Sequence, residues 1–140
     1  MKKHIQHEAA EQTALFEWAA MQEGKYPELA MMFHVPNGGS RNIYEAANLK
    51  RQGVKAGVPD VWLPVPRGEY HGLVIEMKAG DNKPTKDQLW WIAKLTQQGY
   101  FVTVCYTWSA AVEKIIKYLN LEEPHNVPIP QQDKAENQKR

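Results

Sequence analysis

The chain has 140 residues, a length typical of one domain, and 43% of them are hydrophobic, which is enough to form a core. Its 17 Lys and Arg residues nearly balance 16 Asp and Glu residues, so contact with nucleic acid would need local basic patches. A single cysteine excludes an internal disulfide. There is no apolar run long enough for a membrane span and no signal-peptide pattern, so we expect a cytoplasmic protein.

The first predicted helix spans about residues 6–23 and carries acidic residues on its apolar side. Leu15 belongs to the apolar stripe, and Glu8 and Glu11 fall on the same stripe one to two turns earlier. A carboxylate on a core-facing side is costly unless it is paired or metal-bound, which makes these residues candidates for a site. The alternative is that this helix end overhangs the core and its acids are solvated.

A short strand is predicted over residues 30–35, followed by a glycine-containing loop over residues 36–40. That loop can bring backbone close to a phosphate, or it can be an ordinary connection. A second helix begins at Asn42, because Asn42 and Glu45 have the spacing of a capping box, and it runs to about Gln52.

Three cations lie at and after the end of the second helix: Lys50, Arg51 and Lys55. They precede the acidic residues described next and could hold a phosphodiester backbone. Cations at the C-terminal end of a helix also complement its dipole, so a solvated helix end is the alternative.

Two strands are predicted over residues 60–65 and 72–79, joined by a turn-rich connection that makes them neighbours in one sheet. Asp60 opens the first strand, and Glu76 and Lys78 share one face of the second. Two carboxylates beside an ammonium group suit Mg²⁺ or Mn²⁺. The alternative is an ion pair on a solvated face.

A third helix opens with a capping box from Thr85 to Gln88, so Gln88 either closes the cap or belongs to the site. Trp90 falls on the face opposite Gln88. A buried strand over residues 100–106 and a helix ending near Leu119 follow.

This element order predicts an α/β fold with a central mixed β-sheet and helices on both faces. Residues 1–120 are expected to form the domain, and residues 121–140 a polar, proline-containing and mobile tail. The five histidines and the cysteine lack the spacing of a zinc site.

The motifs, taken in order, resemble those of the VRR-NUC domain (virus-type replication-repair nuclease), a branch of the PD-(D/E)XK nuclease superfamily. The resemblance implies a restriction-endonuclease-like fold and phage or bacterial origin. The matching pieces are Glu8 with Gln12, Pro36-Asn37-Gly38-Gly39 with Arg41, Gly57-Val58-Pro59-Asp60, Glu76-Met77-Lys78 and Gln88.

The resemblance also implies a Mg²⁺- or Mn²⁺-dependent DNA endonuclease that acts on branched DNA such as four-way (Holliday) junctions in DNA repair. Asp60, Glu76 and the main-chain carbonyl of Met77 would hold the metal. Lys78 would orient or deprotonate the attacking water. Alternatives are a flap-type or nonspecific nuclease, an RNase, and a catalytically inactive DNA-binding or scaffold protein.

Further roles follow from the same resemblance. Glu8, with Glu11 as the alternative, would supply an acid near the metal, and Gln88 would point toward the water or the scissile phosphate. Asn37 and Arg41 would contact DNA at the rim of the site. Stand-alone members are dimeric, so we expect a homodimer.

Trp90 is the residue on which the dimer expectation depends. An outward tryptophan is either an isolated apolar surface residue or an interface anchor. Symmetric cleavage of a junction requires two sites, which a two-fold dimer supplies.

Overall fold

A computed structural model of the chain describes residues 2–36, 42–124 and 128. Helices and strands alternate much as the sequence predicts. In chain order they are α1 (Lys2–Gln22), a short 3₁₀ helix (Pro27–Met31), β1 (Phe33–His34), α2 (Ile43–Arg51), β2 (Val61–Leu63), β3 (Leu73–Met77), α3 (Lys86–Gln97), β4 (Phe101–Cys105) and α4 (Trp108–Leu119).

The four strands form one mixed sheet in the order β1-β2-β3-β4. β2 is antiparallel to both β1 and β3, whereas β4 runs parallel to β3. α1 and α4 pack together on one face of the sheet, and α3 packs beside β4 on the other. The predicted α/β class, a mixed sheet with helices on both faces, is therefore confirmed.

β3 is the central element, and all five of its residues are buried. The side chains of Leu73, Ile75 and Met77 join the main core. That core is completed by residues of α1 and α4, among them Leu15 and Ile115. Because side chains alternate along a strand, Val74 and Glu76 point to the opposite face, toward α3.

The predicted strand over residues 30–35 is wrong in its first half. Residues Pro27–Met31 form a 3₁₀ helix, and only Phe33 and His34 are in β1. Pro27 stands in the first turn, where proline is favourable, and Leu29 is buried. A short apolar run has no decisive period, so the tertiary contact of Leu29 selects the helical turn.

β4 was also predicted to be a buried strand, and this is wrong for four of its five residues. Phe101 to Val104 are half-buried, and only Cys105 is fully buried. The reason is that β4 is an edge strand of the sheet. Its run of β-branched and aromatic residues fits a partly covered surface equally well.

A buried arginine lies at the end of the sheet where β2 ends. Arg67 is 6% exposed, and its Nη2 lies 3.2 Å from Glu28 Oε1 and 3.7 Å from Glu123 Oε1. The next residue, Gly68, donates its N–H to the carbonyl of Glu122 over 2.7 Å. The chain after α4 therefore stays packed against the domain as far as Glu123. Residues 125–127 and 129–140 of the predicted tail lie outside the described residues.

No helix in the described ranges is both long enough and apolar enough to cross a membrane.

Candidate active site

The sheet register brings the two predicted carboxylates together. β2 and β3 are antiparallel with Val61 opposite Ile75, so the residue before Val61 faces the residue after Ile75. These residues are Asp60 and Glu76. Asp60 Oδ2 also accepts a hydrogen bond from the N–H of Met77 over 2.9 Å. Asp60, Glu76 and the main chain of Met77 thus meet at one end of the sheet.

Glu76 is a buried carboxylate that uses only one of its oxygens. The residue is 1% exposed. Its Oε1 accepts a 2.7 Å hydrogen bond from Gln88 Nε2 and lies 3.7 Å from Lys78 Nζ. Its Oε2 is buried and accepts no hydrogen bond from any residue that the structure describes. Lys78 is 7% exposed, so the alternative of a solvated ion pair is excluded.

Burial makes both carboxyl groups hard to ionise. Burial is the largest cause of the rise in the pKa of Glu76, to about 8, and the negative charge of the neighbouring Asp60 raises it further. The pKa of Asp60 is also raised by burial, partly offset by its hydrogen bond from Met77. Because Asp60 and Glu76 are adjacent and both resist ionisation, the binding of a cation between them would be favourable.

Gln88 performs two roles that were expected to exclude each other. Its side-chain oxygen accepts a hydrogen bond from the main-chain N–H of Thr85 over 2.8 Å. The main-chain N–H of Gln88 donates to Thr85 Oγ1 over 3.2 Å, which completes the capping box of α3. Its Nε2 meanwhile donates to Glu76. An amide has a donor end and an acceptor end, so one side chain can close the helix cap and contact the site.

The loop before Asp60 packs closely against the first turn of α3. Gly57 has φ +83°, and a Cβ atom there would lie 2.6 Å from the main-chain carbon of Asp87. Only glycine permits both that conformation and that approach. Trp91 Nε1 also donates to the carbonyl of Ala56 over 3.0 Å. The glycine was visible in the sequence, but not the helix it packs against.

The two acids of α1 have different surroundings. Glu11 Oε2 accepts the N–H of Trp108 over 2.6 Å and so caps the first turn of α4. Glu8 instead lies close enough for its charge to raise the pKa of Glu76. The structure thus associates Glu8 with the acidic end of the sheet and gives Glu11 a contact elsewhere.

The donor set fits a hard divalent cation. In the part of the chain that the structure describes, no group of three or more His, Cys, Asp and Glu side chains is arranged to hold a metal. Mg²⁺ characteristically takes one or two carboxylates and completes its shell with water and substrate phosphates. Asp60, the unpartnered Oε2 of Glu76 and the carbonyl of Met77 suit that demand.

The predicted DNA contacts can be placed only in part. Asn37 and Arg41 lie outside the described residues. Lys50, Arg51 and Lys55 are exposed, the first two in the last turn of α2. α2 has no buried residue, and among the described residues no other helix or strand packs against it. It therefore presents its basic end on the surface.

The sequence does not predict a groove that lies along α1, near Asp60. The groove is open to solvent, has a volume of about 480 Å³ and has a mostly apolar lining. His34 forms one wall, and its Nδ1 lies 3.1 Å from the carbonyl oxygen of Asp60. The sequence gives no signal for His34 in this position, because no local pattern pairs it with α1. The lining residues are Gln12, Thr13, Phe16, Glu17, Ala20 and His34.

Comparison with known proteins identifies a family and similar solved structures. The model of the VRR-NUC domain family matches residues 4–108, from α1 to the start of α4. A solved structure named "VRR_NUC domain protein" is similar with a TM-score of 0.73 and 34% sequence identity. That similarity covers 84% of this chain and 91% of the other. No curated protein matches the chain.

Proposed function

Because the chain belongs to the VRR-NUC family of the PD-(D/E)XK nuclease superfamily, we propose that it is a Mg²⁺- or Mn²⁺-dependent DNA endonuclease. The observation that carries this proposal is the state of Glu76, a carboxylate that is 1% exposed and whose Oε2 has no hydrogen-bond partner within the described part of the chain. A buried acid with an unused oxygen is costly in a purely structural role. Beside Asp60 and Lys78 it is suited to phosphodiester hydrolysis.

Asp60, Glu76 and the carbonyl of Met77 would hold the cation. When bound, the cation supplies Lewis-acid chemistry, offsetting the negative charge that develops on the phosphate. The reaction adds the oxygen of water to phosphorus and breaks the bond from phosphorus to the 3′ oxygen. The products are a 5′-phosphate and a 3′-hydroxyl.

Two further side chains have roles in this proposal. Lys78 Nζ, 3.7 Å from Glu76 Oε1, would orient or deprotonate the water and stabilise the charged transition state. Gln88 would hold Oε1 of Glu76 through its 2.7 Å hydrogen bond, leaving Oε2 for the cation. Both groups act from positions fixed by β3 and by the capped first turn of α3.

Branched DNA and a homodimer complete the proposal. Leu89 and Trp90 are adjacent on α3 and are 54% and 55% exposed. Exposed aromatic residues are frequent anchors of protein interfaces. A two-fold dimer would place two active sites at a fixed separation, as paired cuts in a four-way junction require.

The experiment that tests the proposal is cleavage of labelled linear, flap and four-way-junction DNA with Mg²⁺ or Mn²⁺. RNA versions of the same substrates test for an RNase. We expect DNA cleavage, fastest on the junction, and loss of cleavage with retained DNA binding in Asp60→Asn and Glu76→Gln. Glu113→Gln, which changes an exposed acid of α4, is the matched control and should cleave normally. Metal-independent cleavage, or full activity in either site variant, would contradict the proposal.

A further inference from the structure

The groove described above runs away from the acidic end of the sheet along α1. Its wall at His34 contacts the main chain of Asp60. On the helix side, Gln12 lies one turn beyond Glu8, and Phe16 lies one turn further. Glu8 of α1 lies near Glu76, and His34 lies against the main chain of Asp60, so the groove and the two acids meet at the end of the sheet. A DNA strand whose phosphate sits at Asp60 and Glu76 can therefore place a neighbouring nucleotide in this groove.

The lining of the groove suits a base better than a phosphate. Among the residues that the structure describes, no Lys or Arg lines the groove, and Glu17 contributes a negative charge that repels phosphate. Phe16 is half-buried, so its ring is anchored in the core while part of it lines the groove. An aromatic ring is a stacking surface for a base, and a carboxylate accepts hydrogen bonds from exocyclic amines.

The size of the groove is also appropriate. Its volume of about 480 Å³ falls within the range of roughly 300–1,000 Å³ typical of small-ligand sites. Thr13 and Ala20 keep one side of it free of large side chains.

We propose that this groove is a subsite for one unstacked nucleobase of the DNA strand next to the scissile phosphate. The base would lie against Phe16, with an exocyclic amine directed to Glu17. The inference rests on the proposed nuclease function and deepens it. Bases inside a duplex are stacked and paired, whereas those at a flap or a junction opening are accessible at little cost. The subsite would thus give a physical reason for a preference for branched DNA.

The test measures binding without divalent cation, so that it does not depend on hydrolysis. A fluorescent flap DNA is titrated with wild type, and each single-stranded nucleotide near the branch is replaced in turn by an abasic residue. Ala20→Phe fills the groove, and Ala10→Phe makes the same change at an exposed position of α1 outside it. Phe16→Leu keeps an apolar side chain in the core but removes the ring. Thermal melts establish that each variant is folded.

We expect one abasic position to weaken binding to wild type by about ten-fold, within the range for one stacked base. Ala20→Phe and Phe16→Leu should bind intact DNA about ten-fold more weakly and lose sensitivity at that position, whereas Ala10→Phe should match wild type. This pattern without any cleavage in Mg²⁺ or Mn²⁺ would preserve the subsite and refute the nuclease function.

Three outcomes would overturn the subsite. One is equal DNA binding by Ala20→Phe and Ala10→Phe, and another is an abasic scan without a sensitive position, including the case of no DNA binding at all. The third is a change in oligomeric mass in Ala20→Phe with unchanged DNA binding, which would assign the groove to a second copy of the chain.

Discussion

Gln88 connects the first turn of α3 to the buried carboxylate of Glu76 through a single amide group. Its nitrogen donates to Glu76 Oε1 over 2.7 Å, while its oxygen accepts the N–H of Thr85 over 2.8 Å. The orientation of the amide is therefore fixed at both ends. Any shift of the helix start would move the donor that holds Glu76, so the capping of α3 and the geometry of the site are coupled.

Gln88→Glu should separate the two roles of this residue. Glutamate keeps the oxygen that closes a capping box but lacks the N–H₂ donor and adds a negative charge beside Glu76. We expect a loss of at least ten-fold in kcat and a change of about 1 kcal/mol or less in the free energy of unfolding. Single-turnover cleavage and urea unfolding measure the two effects.

Thr85→Ala is the control for that variant. It removes the hydroxyl that accepts the N–H of Gln88 and leaves the amide of Gln88 in place. Stability should fall by about 1 kcal/mol, and kcat should stay within a few-fold of wild type. If Thr85→Ala lost as much activity as Gln88→Glu, the cap alone would explain the requirement for Gln88.

The raised pKa of Glu76 predicts a pH-dependent stability of the cation-free protein. In the folded protein the pKa is about 8, above the ordinary value of 4.5, so the folded state binds more protons between these values. The contribution of Glu76 to the free energy of unfolding is fully present below about pH 4.5 and is lost as the pH rises through 8. Asp60 acts in the same direction. At about 1.4 kcal/mol per pKa unit, the loss is on the order of a few kcal/mol.

Urea unfolding at pH 5 and pH 8 in the presence of a chelator checks this prediction. Glu76→Gln should remove most of the difference and should be more stable than wild type at pH 8. Mg²⁺ should stabilise wild type more at pH 8 than at pH 5, because protons compete with the cation for the carboxylates. A wild-type protein with equal stability at both pH values would show that Glu76 ionises freely.

Lys78→Ala should slow cleavage by at least a hundred-fold while cation binding survives. The amine is expected to act on the attacking water and the transition state rather than as a ligand. Lys78→Arg should not restore the rate, because its guanidinium is larger, planar and unable to act as a base. Lys117→Ala, at an exposed position of α4, is the control. Calorimetry showing that Lys78→Ala loses cation binding instead would make the lysine a structural residue.

Glu8 and Glu11 should respond differently to the same substitution. Glu11→Gln alters the side chain that caps α4, so stability should fall by about 1 kcal/mol and turnover should change little. Glu8→Gln should lower turnover several-fold and lower the pKa of Glu76, since one repulsive charge is removed. Measurements of kcat and of the free energy of unfolding for both variants would distinguish the two roles. Near-normal turnover in both variants would show that the acids of α1 do not contribute to catalysis.

Trp90→Glu tests the dimer. Trp90 is on the outer face of α3, with Lys94 Nζ 6.0 Å from its ring centroid, as the helical period predicts. A charge at the centre of an interface is unfavourable, so the variant should shift toward monomer and lose junction cleavage. Light scattering over a dilution series measures the mass. A wild-type monomer at every concentration that still cuts junctions symmetrically would refute the dimer.

The sequence predicts the acidic end of the sheet because period-two alternation and strand adjacency are local properties. Asp60 and Glu76 need only neighbouring strands in register. The contact between Gly57 and Asp87 depends on how a loop meets a helix, and the hydrogen bond that Trp108 N–H donates to Glu11 joins residues 97 apart in the chain. Such contacts are set by tertiary packing, and no spacing in the sequence encodes them.

The ion pairs of Arg67 have a practical consequence for shortening the chain. A version ending at residue 120 would remove Glu123 and the carbonyl of Glu122 that Gly68 uses, leaving the buried guanidinium with Glu28 as its acidic neighbour. Exposed pairs contribute little, but a buried cation that loses one of its two acidic partners is less well compensated. Expression vectors for a minimal domain should therefore extend at least through residue 124.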